Sequence, residues 1–85
     1  MDRTEILDAT YDACVELLKA DRASLSEATS FADDLDADSL DLVEVVMTLE
    51  DRFDLKIPED DLDGVKTIGE AADVVLARMA NPVQA

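Results

Sequence analysis

Eighty-five residues allow one small domain with a modest core, and no run among them is apolar enough to span a bilayer. Twenty-two acids against seven bases give a net charge of −15, which argues against nucleic acid and anionic membrane surfaces as partners, because their phosphates would be repelled. With no histidine, one cysteine and no Gly-rich phosphate loop, the chain also lacks the parts of a self-sufficient enzyme.

Disorder is the other usual meaning of such acidity. Here 48% of the residues are hydrophobic and fall in periodic patterns, so the charge is read as a field on a folded domain that steers basic partners. The opening residues, MDRTEILDATYDAC, carry acids and no apolar core, so no signal peptide is expected. A lone cysteine makes no internal disulfide, which places the protein in the cytoplasm.

The first helical pattern covers residues 4–19. Ile6, Ala13 and Leu17 form one stripe; Leu7, Tyr11, Cys14 and Leu18 form its neighbour. Asp2 and Glu5 suit the positive end of this helix and Lys19 the negative end. Cys14 is expected to be a buried, inert thiol. A long connection follows over 20–38, tied to the core by Leu25, Phe31 and Leu35.

The second helix covers 39–53, with Asp38 as N-cap, Asp41 in the first turn and a buried stripe of Leu42, Val46, Leu49 and Phe53. Pro58 is expected to open a short helical turn over 59–63, ended by Gly64 as a C′ residue. The last helix starts at Thr67, which forms a capping-box pattern with Glu70. Its stripe is Ile68, Ala72, Val75 and Met79. Asn81-Pro82 stops it, and the tail 81–85 is expected to fray. The pattern predicts an all-α bundle of three main helices and one short one, in a single domain with its core over about 4–80.

Helix geometry marks a second face on the second helix. At about 100° per residue, Leu40, Glu44, Met47 and Asp51 share one line, roughly 150° from the buried stripe. Leu40 and Met47 should therefore be exposed apolar residues framed by acids. Asp34, Asp36 and Asp38 suggest the opening of a calcium loop. However, the positions that need Gly and a bidentate Glu hold Ser39 and Val45, so no dedicated metal site is expected.

The segment Leu35-Asp36-Ala37-Asp38-Ser39-Leu40-Asp41 resembles the signature of acyl carrier proteins, in which Asp-Ser-Leu opens the second helix. Ser30-Phe31 upstream, Val43-Glu44-Val45-Val46-Met47 through Leu49-Glu50, Phe53-Asp54-Leu55-Lys56-Ile57-Pro58 and Thr67-Ile68 extend the resemblance over about 4–80. It implies a four-helix acyl-carrier-type bundle and a non-catalytic carrier. Its Ser39 would receive 4′-phosphopantetheine from coenzyme A through a separate Mg²⁺-dependent phosphopantetheinyl transferase, the serine displacing at phosphorus. Ketosynthase, acyltransferase and other synthase enzymes with basic patches would be the further partners of a monomer.

By the same resemblance Asp38 and Asp41 flank the serine for the transferase, and Glu50 joins Leu40, Asp41, Glu44, Met47 and Asp51 on the partner face. The acyl chain would be sheltered by Phe31, Leu35, Val43, Leu49, Ile57, Leu62, Val65 and Ala71. Many members have glycine two residues before the aspartate of the Asp-Ser pair, where this chain has Asp36. A glycine there could supply a positive φ that Asp adopts only at some cost, which bears on the loop geometry and the choice of transferase.

An ordinary helix-start serine is the simpler meaning of Ser39 taken alone. The surrounding matches favour a discrete carrier of fatty acid or polyketide synthesis, the acidity and Ile57-Pro58 leaning towards fatty acids. Two alternatives are a carrier for an aminoacyl or other unusual starter unit, and an unmodified acidic adaptor built on the same bundle.

Overall fold

In the computed structural model, residues 2–80 are described, and the expected helix stop at Asn81-Pro82 and the tail lie outside them. Helix α1 (Arg3–Leu18) starts where the Asp2 side chain accepts the Glu5 N–H at 3.1 Å. It ends where Lys19 turns left-handed at φ 59° and its N–H bonds the Cys14 carbonyl. Ile6, Ala9, Thr10, Ala13 and Cys14 are buried. Thr10 sits among apolar side chains because its hydroxyl donates to the Ile6 carbonyl at 2.8 Å. Leu17 corrects the expected stripe. It points the same way as Ile6 and Ala13 but is 37% exposed, while Leu18 beside it still packs half-buried against the core.

Helix α2 (Ser39–Phe53) has the expected bounds, and both halves of a capping box start it. The Asp38 carboxylate accepts the Asp41 N–H at 3.0 Å, and the Asp41 carboxylate accepts the Asp38 N–H at 3.2 Å. Its buried residues are Val45, Val46 and Leu49, while Leu42 and Phe53 are half-buried. The buried face is thus rotated towards Val45 from the expected stripe. Val43 lies roughly 110° from the centre of that face and is only half-buried.

The connection between α1 and α2 contains a 3₁₀ turn, Arg22–Ser24, then runs antiparallel to the entry of helix α3 (Ile68–Ala80). The Phe31 N–H donates to the Lys66 carbonyl (2.9 Å), Ile68 N–H to Thr29 (3.0 Å) and Gly69 N–H to Glu27 (2.9 Å). Phe31 enters the core at 3% exposure, and Leu25 and Leu35 pack half-buried against it. Asp36 adopts φ 53°, the left-handed conformation in question at that position.

After α2 the Glu50 carboxylate accepts the Ile57 N–H at 2.7 Å and pins the next connection to the helix. Pro58 precedes a 3₁₀ turn, Glu59–Leu62, rather than opening it. Gly64 is not a left-handed cap, since no described glycine has positive φ. The chain leaves instead through right-handed turns, with Asp63 at φ −56° and Val65 N–H bonded to the Leu62 carbonyl at 3.0 Å. At α3, Thr67 Oγ1 accepts the Glu70 N–H (3.2 Å) while Glu70 accepts the N–H groups of Lys66 (2.9 Å) and Thr67 (3.0 Å). Those two N–H groups hold the Glu70 carboxyl below its ordinary range.

Helix α1 packs on both α2 and α3, while the backbones of α2 and α3 approach each other far less. All three contribute to one core, closed by Phe31, Ala37 and Ile57 from the connections. The result is an all-α bundle of three helices with short 3₁₀ turns and no strand among the described residues. No described helix is long and apolar enough to cross a membrane.

Two outcomes test the local constraints. Asp36→Gly should leave the melting temperature level or raise it, since relief of left-handed strain offsets the added chain entropy of glycine. Asp36→Val should cost about 1–2 kcal/mol, or ~4–8 °C per kcal/mol in a domain of this size. Glu50→Ala leaves the part-buried Ile57 N–H without its acceptor and should cost about 1–3 kcal/mol in urea unfolding. The same change at exposed Glu44 should leave the unfolding midpoint within about 0.5 kcal/mol.

Candidate functional site

Four serines are present, at 24, 26, 30 and 39. Three have hydroxyls engaged by their own loops. Ser24 Oγ donates to the Asp21 carbonyl at 2.8 Å, Ser26 Oγ lies 3.5 Å from Thr29 Oγ1, and Ser30 Oγ accepts the Asp33 N–H at 3.1 Å. Ser39 is exposed, is the first residue of α2, and its hydroxyl has no partner among the described residues. The capping box fixes its backbone from both sides without using its side chain.

Beside Ser39 lies an open groove of about 340 Å³. Phe31, Ala37, Leu42 and Val65 make its apolar floor; Asp33, Asp38 and Lys66 stand around it. The Ala37 N–H bonded to the Phe31 carbonyl at 2.8 Å holds the loop end of this groove. The free end of helix α2 directs its partial positive charge towards Ser39. This is favourable for an anionic substituent there, although two carboxylates share that end.

The eight side chains expected to line an acyl pocket fall into three groups. Phe31, Leu49, Ile57 and Ala71 are buried in the core, and Leu35, Leu62 and Val65 pack half-buried against it. Val43 is not part of that cluster, for the angular reason given above. Only Phe31 and Val65 of the eight reach the groove beside Ser39. Ala37 and Leu42 line it too; Leu42 sits one turn after Ser39, a spacing that could have identified it.

On the outward side of α2, Leu40 is 73% and Met47 56% exposed, with Glu44 and Asp51 exposed on the same line. Met47, Asp51 and Glu50 also border a shallow depression of about 240 Å³ shared with Asp54, Leu55 and Lys56. Asp38, Asp41 and Glu50 have structural work as well, the first two in the capping box and the third on Ile57.

The one thiol lines neither the groove nor the depression. Cys14 is fully buried, and burial pushes its thiol up to about 11. Among the described residues no three acid or cysteine side chains converge on a metal-sized site. No carboxylate of this surface is hydrogen-bonded to the Ser39 hydroxyl among the described residues, so none is placed to activate it.

Residues 9–75 match a family described as PP-binding, phosphopantetheine attachment site. The chain is 40% identical over 75 residues to an acyl carrier protein of Lactobacillus acidophilus, covering 88% of this chain and 94% of that one. It is 41% identical over 76 residues to an acyl carrier protein of Rubrobacter xylanophilus, covering 89% and 94%. A third acyl carrier protein, from a Picosynechococcus species, is 44% identical over 71 residues, covering 84% and 88%. The chain belongs to the acyl carrier protein family, whose members are non-catalytic carriers, and it contains that family's phosphopantetheine attachment domain.

Proposed function

We propose that Ser39 is the attachment point of 4′-phosphopantetheine and that the protein, as a single domain, presents acyl groups to the enzymes of fatty acid synthesis. The observation that carries this reading is the contrast among the serines: Ser39 alone combines an exposed, unpartnered hydroxyl with a helix start and an adjoining apolar groove. The residues suit the group. Its phosphodiester would sit at the positive end of α2, and the groove leaves room for the arm next to it. When bound, the arm supplies a thiol that holds an acyl group as a thioester.

The chain's own residues position, shelter and display. With no base hydrogen-bonded to Ser39, activation comes from the phosphopantetheinyl transferase. Phe31, Leu35, Leu49, Ile57, Leu62, Val65 and Ala71, together with Leu42, supply the apolar interior into which an acyl chain withdraws from water, worth roughly 25 cal/mol per Å² covered. The limited approach of α2 and α3 supports entry between them. Leu40 and Met47 act as apolar anchors on α2, and Glu44 and Asp51 steer basic patches on transferase, ketosynthase and acyltransferase. Asp38, Asp41 and Glu50 add charge to that face while holding it in shape. We place the protein in the cytoplasm as a monomer. The acidity favours fatty acid over polyketide synthesis.

Two experiments test this. Ser39→Ala should fold like the wild type, since Asp38 retains the cap, yet gain no mass on incubation with coenzyme A, Mg²⁺ and a phosphopantetheinyl transferase. A modified Ser39→Ala protein would move the attachment to another serine. At the docking face, Glu44→Lys should slow association with a ketosynthase at low salt, with the difference shrinking as salt is added. Met47→Ala should speed dissociation, by about 1 kcal/mol or more if it is an anchor. Wild-type binding by both variants would move the docking face to the acidic turn at 59–63.

A further inference from the structure

We propose that Lys66 is the counter-ion for the phosphodiester at Ser39 and draws the near part of the arm across the groove floored by Phe31 and Val65. This rests on Ser39 as the attachment residue and adds a binding residue on the far side of the groove, from a different part of the chain.

The electrostatics call for such a partner. Asp38 and Asp41 flank Ser39 and are locked in place by the capping box. Asp33 stands on the same groove. An anion fixed to Ser39 would have two carboxylates in the capping box around it and a third on the same groove, all of like charge. The helix end offsets this only in part, because the capping-box carboxylates already occupy the N–H groups of Asp38 and Asp41.

Lys66 is the one cation lining that groove. Every arginine is in an ion pair: Arg3 with Glu27 and Asp73, Arg22 with Asp8 and Asp12, Arg52 with Asp12, and Arg78 with Asp61. The Lys66 ammonium is in none among the described residues; its charge acts on the Glu70 carboxylate without a direct ion pair. Its backbone is nonetheless held on both sides, the N–H by Glu70 at 2.9 Å and the carbonyl by the Phe31 N–H at 2.9 Å. A flexible ammonium therefore springs from a rigid point at the groove's edge. The groove suits what lies between the charges. Its apolar floor can cover the dimethyl carbon next to the phosphate, and its volume of about 340 Å³ is within the range of small-ligand clefts, ~300–1,000 Å³.

The test uses the full-length protein carrying a ¹³C-labelled arm, after fragment mass spectrometry has located the arm. In the wild type, nuclear Overhauser contacts should connect the arm's methyl groups to Phe31 and Val65, and the ³¹P resonance should shift as salt screens the pair. Lys66→Gln and Lys66→Glu should weaken those contacts about two- to fivefold, in line with an exposed ion pair. Lys66→Arg should keep them. The arm-free variants should melt with the wild type, as expected for an exposed side chain. Unchanged contacts and an unchanged ³¹P salt response in Lys66→Glu, with the arm on Ser39, would overturn the role of Lys66 and leave the attachment intact. An arm located on another serine would overturn both.

Discussion

The position of Ser39 depends on a backbone seam far from it in sequence. Three N–H···O=C bonds lay the connection between α1 and α2 antiparallel to the entry of α3, from Glu27 through Phe31. Gly69 lets the two segments of the seam come this close. A Cβ at that position would stand 3.1 Å from both the Glu27 carbonyl oxygen and its Cβ, tighter than the loop can accept without moving. Each bond contributes about 1 kcal/mol net, so the seam matters more for placement than for total stability. It sets Phe31 into the core, the chain bends back through left-handed Asp36 so that the Phe31 carbonyl holds Ala37, and the capping box follows at Asp38. A serine at the head of α2 is thus fixed by contacts to α3 rather than by its own helix alone.

The distribution of charge follows a similar division. Each arginine crosses between elements: Arg3 joins α1 to the loop and α3, Arg52 joins α2 to α1, and Arg78 joins α3 to the 3₁₀ turn at Asp61. Arg22 joins its own turn to Asp8 and Asp12 of α1 and lies 5.5 Å over the Tyr11 ring. Individually such exposed pairs are worth little. Their arrangement matters because the arginines are used where elements meet, leaving Glu44 and Asp51 on the outward line of α2 in no ion pair among the described residues. The outward line of α2 therefore keeps its full negative charge.

Much of this was legible in the sequence where a local rule suffices. The bounds of α2, its N-cap at Asp38, and the Thr67–Glu70 box depend on residues within one turn of each other. The burial of Cys14 and Ile68 follows from periodicity. The parts that were not legible depend on where an element ends relative to its neighbours. Leu17 has the angular position of the buried stripe on α1 and is exposed nonetheless, while its neighbour Leu18 packs against the core. Val45 lies off a single line of i, i+4 and i+7 positions yet is fully buried, because α2 meets the bundle along a broad face. Gly64 looked like a left-handed stop, whereas continuing right-handed turns leave it no such task. Glu50 offered no local signal at all, since its partner is the Ile57 N–H beyond the helix end.

Helix α2 owes its several uses to its angular geometry. Val45, Val46 and Leu49 bind it to the bundle, and Leu40 and Met47 point nearly the opposite way. Leu42 reaches the groove from the same helix, one turn below Ser39. No other described helix offers all of these together: the N-cap of α1 is Asp2 with Arg3 as its first residue, and Gly69 at the start of α3 is buried in the seam. A group attached at the first residue of α2 therefore has the apolar groove on one side and the outward acidic line on the other. The two surfaces therefore diverge from a single point on the backbone, the first residue of α2. Val43, half-exposed on the edge between these faces, marks where the two surfaces meet.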